Sequence, residues 1–97
     1  MRRNRVLQSI QQKIVRNFYQ ITEHAIDEMR NDRLSTVDVK HAIWRGQVVQ
    51  RFTHDRRGIR YRLRGPARDG REINVICRIL DTGELRIITV YATEGTQ

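Results

Sequence analysis

Arginine dominates the chemistry this chain can offer. In the stretch I-R-Y-R-L-R-G at 59–65, Arg60, Arg62 and Arg64 alternate with Ile59, Tyr61 and Leu63. A period of two marks a half-buried strand, with one face in the core and the other in water. Three like charges on one strand face repel unless something anionic meets them. The face is either a phosphate-contacting surface or a solvated one on which arginine serves solubility. Metal-independent RNA cleavage asks for a base to help the 2′-hydroxyl attack, a cation to stabilise the phosphorane, and an acid for the leaving 5′-oxygen. Arg62, Arg64 and Arg78 are candidates for the cation. His24, His54 and Tyr91 are candidates for proton transfer, since free imidazole titrates near neutrality and a crowd of arginines favours an ionised tyrosine. Of these, His24, Arg62, Arg78 and Tyr91 form the candidate catalytic set. Arg56, Arg57, Arg60, Arg64, Asn74 and Thr89 form the candidate nucleic-acid-binding set. Each has an ordinary alternative: a helix-terminal His bonding a carbonyl, an exposed turn His54, a Tyr covering the core or stacking on a base. His41, in mid-helix, is expected at the surface or the core rim.

The balance of charge agrees with an anionic partner. The 97 residues carry a formal charge of +8. Of the 19 basic residues only Lys13 and Lys40 are lysine. Arginine makes bidentate, planar contacts to phosphate where lysine acts as a point charge. The charge is uneven: net +5 over residues 1–20, −1 over 21–50, +6 over 51–80 and −2 over 81–97. RNA, DNA or an acidic protein fits this field. The single cysteine, Cys77, excludes an internal disulfide and a cysteine-based zinc cluster, and fits a reducing cytoplasm. No apolar run approaches a membrane span, so a membrane partner is not expected. No cofactor or metal motif is present: there is no phosphate-binding Gly loop, zinc helix motif or nucleophile elbow.

One domain must position these residues. Residues 4–17 predict an amphipathic helix with Val6, Leu7, Ile10, Ile14 and Val15 inward. Arg2, Arg3 and Arg5 crowd the positive end of its dipole, which favours a docked anion there. Residues 18–21 fit a short first strand. Thr22 caps a helix over 23–32 with Ala25, Ile26 and Met29 inward. Ser35 or Thr36 caps another over 36–45, whose core face is Val39, Ala42 and Ile43, with Gly46 as the C′ residue. Trp44 is expected to cover the core edge, with stacking on a base as the alternative. The period then changes to two, and strands follow at 47–53, 59–65, 72–80 and 85–92, separated by Gly-containing turns. The tail at 93–97 is expected to fray. The expected fold class is α+β, two to three helices on one face of a four-stranded antiparallel meander. Asn74, Ile76, Arg78 and Leu80 then share the arginine face. On the last strand either Leu85, Ile87, Thr89 and Tyr91 or Arg86, Ile88, Val90 and Ala92 could join them; Thr89 and Tyr91 are favoured, because Ile88, Val90 and Ala92 form the cleaner apolar set.

Several of these segments carry a family resemblance. T-E-H-A-I-D-E-M opening a helix, G-Q-V-V-Q after the next one, R-D-G-R-E-I-N-V-I-C in the third strand and L-R-I-I-T-V-Y at the end resemble the bacterial domain of unknown function 4258. The likeness runs from about residue 20 to 92. That family is similar to the small α+β toxins of type II toxin–antitoxin systems, of the RelE, BrnT and MqsR kind. The resemblance implies a RelE-like architecture, RNA cleavage, and a protein antitoxin as partner, of the zinc-finger MqsA sort. The chain departs from many members at three positions: Arg33 replaces Gly, Asn74 replaces His, and Glu28 replaces Arg. Beside an RNA-cleaving toxin stand two other readings, a nucleic-acid-binding module without catalysis and a protein-interaction domain.

Overall fold

A computed structural model describes residues 4–93. Three helices precede and pack against a five-stranded sheet: α1 (Arg5–Val15), β1 (Tyr19–Ile21), α2 (Glu23–Asn31), α3 (Thr36–Arg45), β2 (Gln47–Phe52), β3 (Arg60–Pro66), β4 (Glu72–Ile79) and β5 (Leu85–Ala92). The sheet order is β1-β5-β4-β3-β2. The last four strands form the expected antiparallel meander, and β1 adds a fifth strand parallel to β5.

Local chemistry fixes the helices. Asn4 caps α1 by accepting from the Leu7 N–H, and Thr22 caps α2 by accepting from Ala25 N–H. Ser35 and Asp38 form a reciprocal capping box on α3. The Ser35 N–H holds the Asp38 carboxyl below the usual carboxylate range. Arg33 follows α2 with φ 56, and the Leu34 N–H returns to Met29 O. This left-handed turn ends the helix in a conformation that favours glycine. Arg2, Arg3 and residues 94–97 lie outside the described residues. Thr93, expected to fray, bonds to Glu72 O and to the Asn74 side chain.

One cluster forms the core. Ile10, Ile14, Ala25, Met29, Leu34, Val39, Ala42 and Ile43 from the helical side meet Leu63, Ile73, Val75, Cys77, Leu85, Ile87 and Val90 from the sheet. The helices therefore cover one sheet face. Leu85 and Ile87 face this core, which corrects the expected alternation of the last strand. The register passes from Ile76↔Thr89 to Cys77↔Ile87, leaving Ile88 as an unpaired bulge residue. The bulge shifts the alternation by one, so Leu85 and Ile87 point inward before it and Val90 after it.

Four further expectations are corrected. Trp44 is 59% exposed rather than packed on the core edge, and Val15 is 66% exposed; each sits at the last turn of its helix, past the buried stripe. Ile26 is half-buried. Gly46 caps α3 with extended backbone, φ −96 and ψ −168, rather than a left-handed turn. Space, not φ, requires glycine here. A Cβ on Gly46 would collide with the Ala42 and Arg64 carbonyl oxygens, and one on Gly65 with the Ala42 carbonyl. The end of α3 thus rests backbone-to-backbone on β3.

Two outcomes follow. Gly65→Ala drives a methyl group into a backbone oxygen that cannot rotate away, and its urea midpoint should fall by the equivalent of about 3 kcal/mol; an unchanged midpoint would refute the close approach. Cys77 is fully buried, which pushes its thiol from 9.0 up to about 12. The folded chain keeps its proton while the unfolded chain ionises, so the stabilisation is complete below pH 9.0 and is lost progressively as pH rises towards 12. Urea titrations at stepped alkaline pH should show this decline, and Cys77→Ala should flatten it whatever its absolute stability.

Candidate nucleic-acid interface

The face left free by the helices holds five arginines. Arg60, Arg62 and Arg64 project from β3, as the alternation predicts, and the register adds Arg78 and Arg86. Paired residues share a face, so the rows can be followed across the sheet. One row is Gln50, Arg62, Ile76 and Thr89; the next is Gln47, Arg64, Asn74 and Tyr91. Arg78 lies opposite Arg86, and Arg86 opposite Gln20 of β1.

Arg62 is the most completely positioned of the five. Its Nε–H donates to Gln50 Oε1 (3.1 Å) and its Nη1 to Asn74 Oδ1 (2.9 Å). Asn74 is itself 2% exposed and donates through Nδ2 to Thr93 Oγ1 (2.7 Å). Asn74 is therefore a buried group that orients Arg62. The remaining guanidinium donors of Arg62 are left for an anion, and an arginine already held loses less freedom on binding. Arg64 is 41% exposed, with Glu72 Oε1 3.7 Å from its Nε. Tyr91 and Thr89 are half-buried on this face beside Asn74 and Ile76.

Arg78 departs from an exposed cation. Its side chain is only 6% exposed, and its Nη2 donates to Asp55 Oδ2 at 2.6 Å. The same oxygen lies 3.2 Å from Arg60 Nε. The Arg60 guanidinium also stacks over Phe52, 5.0 Å from the ring centroid. Asp55 sits in the loop between β2 and β3. Its Oδ1 accepts from the Arg57 N–H, and this bond, followed by the Arg78 and Arg60 charges, holds its carboxyl below the usual range. Arg56 and Arg57 are exposed on the same loop.

His24 is placed elsewhere. It is 67% exposed at the start of α2, with Nε2 3.3 Å from Glu28 Oε1. Among the described residues no hydrogen bond or ion pair joins it to Arg62, Arg78 or Tyr91. Glu28 Oε1 accepts from the Val90 N–H (3.0 Å) and Asp32 Oδ2 from the Ala92 N–H (2.8 Å). The two carboxylates, one helical turn apart, match alternate N–H groups of a strand. They satisfy the β5 edge beyond the end of β1, which gives Glu28 a structural role. His41 is fixed at the core rim, where its Nδ1–H donates to Pro66 O (2.8 Å). His54 is exposed in the β2–β3 loop. Among the described residues no group of three His, Cys, Asp or Glu gathers to hold a metal, and no helix is long and apolar enough to cross a membrane.

Sequence reasoning missed Gln20, Gln50 and Asp55, and set aside the alternation that turns Arg86 to the open face. Arg86 Nε donates to Gln20 Oε1 (3.1 Å), and Gln20 Nε2 donates to Glu84 Oε1 (2.9 Å). The bulge at Ile88 hid Arg86, because alternation counted back from Tyr91 turns it inward. Gln50 was hidden likewise, by a register shift between Val48 and Gln50.

The fold and site define a class: an α+β domain with helices on one sheet face and an open, arginine-rich surface on the other. The family model described as "Domain of unknown function (DUF4258)" matches residues 21–92, and the chain belongs to that family. No curated protein and no solved structure gives a significant match.

The edge contacts give a paired expectation. Glu28→Ala leaves a half-buried N–H without its acceptor and should cost about 1–3 kcal/mol in urea unfolding. His24→Ala removes only an exposed pair and should stay within about 0.5 kcal/mol. Equal losses would remove the edge-capping role.

Proposed function

We propose that this protein is a toxin-like RNA-binding domain that holds a phosphate backbone across its helix-free face and cleaves it without a metal. The observation that carries the reading is the set of five arginines on one uncovered sheet face, with Arg62 held ready by Gln50 and Asn74. The resemblance to the RelE kind of toxin supports the same reading, and a protein antitoxin masking this face would be the natural partner.

In the proposed reaction the substrate's 2′-oxygen forms a bond to phosphorus and the P–O5′ bond breaks. The products are a 2′,3′-cyclic phosphate and a 5′-hydroxyl. Arg62 stabilises the charge that develops on the phosphorane oxygens. Tyr91, opposite Asn74 in the neighbouring row, is the proposed proton-transfer group, taking the 2′-hydroxyl proton and returning a proton to the leaving 5′-oxygen. Arg64, Arg56 and Arg57 hold flanking phosphates.

The second reading, binding without cleavage, is favoured by a specific observation. Arg78 is neutralised by Asp55, and His24 stands at the β5 edge rather than on the face.

Purified protein incubated with a long RNA in EDTA decides between them. Cleavage should appear, and Arg62→Ala should slow it by about 10²–10³-fold, the usual effect of losing one transition-state donor. RNA that is bound but intact selects the second reading. RNA neither bound at low salt nor cut removes both, since phosphate binding must weaken as salt rises.

A further inference from the structure

The strongest unassigned feature lies at the end of the arginine face, under the loop between β2 and β3. Burying a guanidinium is unfavourable unless its donors are satisfied and its charge is paired. Arg78 meets this only in part. Its Nη2 bonds to Asp55, while its Nε–H is buried and makes no hydrogen bond among the described residues. Arg60 Nε lies 3.2 Å from the same carboxylate oxygen, yet that N–H is also buried and donates no hydrogen bond. One oxygen, Asp55 Oδ2, therefore serves two guanidinium groups while Oδ1 is turned to the Arg57 N–H. Two positive charges share one negative charge, and two buried donors are left over.

A phosphodiester answers that deficit better than the carboxylate does. It carries one negative charge on two non-bridging oxygens, both free to accept, and Arg is suited to bidentate contact with it. Asp55 is held by a loop rather than by the sheet. The residues between β2 and β3 form no strand, and the turn is closed by a Gly58 N–H to Asp55 O bond with Gly58 at φ 116. Moving Asp55 aside disturbs this loop and leaves the strand ladders intact. Along β3 the Arg60 position lies two residues from Arg62, roughly 6.8 Å, so the two positions lie along one track.

We propose that Arg60 and Arg78 form a second phosphate subsite for the nucleic-acid backbone, which Asp55 occupies as an internal stand-in and must leave when the phosphate enters. This rests on the reading of the helix-free face as an RNA surface and adds to it a built-in competitor. The competitor lowers affinity for any single anion. It yields only to a chain whose other phosphates are already held at Arg62 and Arg64.

The probe is a fluorescein-labelled 2′-O-methyl oligouridylate, which lacks the attacking hydroxyl and stays intact. Asp55→Asn keeps the side-chain shape and the acceptor for Arg57 while removing the charge. It should bind about fivefold tighter at low salt, the scale of one unit-charge contact in water. Asp27→Asn, on an exposed residue of α2 in the opposite layer, controls for the gain in net charge. In the wild-type chain, titration with the same oligonucleotide should move the NMR signals of Arg60 and Arg78 Nε–H and of the Asp55 carboxyl. This measurement decides the matter if Asp55→Asn fails to fold. Binding that moves Arg62 and Arg64 but leaves Arg60, Arg78 and Asp55 unchanged would overturn the subsite and leave the RNA surface standing. So would an Asp55→Asn variant that behaves like Asp27→Asn. No binding by either protein at low salt would overturn the RNA surface and the subsite together.

Discussion

Mutual repulsion among five guanidinium groups is the constraint to which the rest of the sheet answers. Each arginine of the helix-free face is met by a partner of a different kind. Neutral amides of Gln50 and Asn74 hold Arg62, and Gln20 holds Arg86. Carboxylates meet the others: Glu72 near Arg64, and Asp55 between Arg60 and Arg78. The amide partners orient a guanidinium without cancelling its charge, whereas a carboxylate does both. The face is therefore graded. Arg62 and Arg86 keep their charge uncancelled, Arg64 faces a carboxylate of its own, and Arg60 and Arg78 share one. A uniform basic patch would attract any polyanion by net charge alone; this one places its free charge at defined points of the sheet.

The core side obeys a different constraint, closeness of backbones. Glycine at 46 and 65 lets the end of α3 lie directly on β3, where any Cβ would strike a carbonyl oxygen. That contact brings Val39, Ala42 and Ile43 onto Leu63 and Val75 and fixes β3 from beneath. Since the arginines alternate with these core residues, the register that buries Leu63 also aims Arg62 and Arg64 outward. Packing on one face and chemistry on the other are thus set by the same strand.

Much of this was legible in the chain. The helix over 36–45 and the strand over 85–92 agree with the structure at both ends, because capping residues and turn glycines mark them. The α+β class and the arginine ladder of β3 followed from periodicity alone. What could not be read depended on breaks in that periodicity. The Ile88 bulge moved Leu85 and Ile87 to the core and Arg86 to the open face. The shift between Val48 and Gln50 did the same for Gln50. Long-range partners were equally hidden: nothing near Asp55 in sequence announces Arg78, and nothing near Glu28 announces Val90. Trp44 was misplaced because its size argues for burial, while its position at the last turn of α3 carries it past the sheet.

The covered edge of β5 gives the sheet a direction of growth. On that side β1 pairs with residues 85–87, and Thr22, Glu28 and Asp32 take up backbone groups at Ile88, Val90 and Ala92. An incoming strand finds these hydrogen-bonding groups already occupied. On the other side, among the described residues, β2 is bonded only to β3 in the sheet, and it carries the exposed Gln47, Val49 and Arg51. Unpaired strand edges are where chains add to one another. The molecule is thus asymmetric toward strand addition, with one edge closed by side-chain carboxylates and the other open beside its own basic surface.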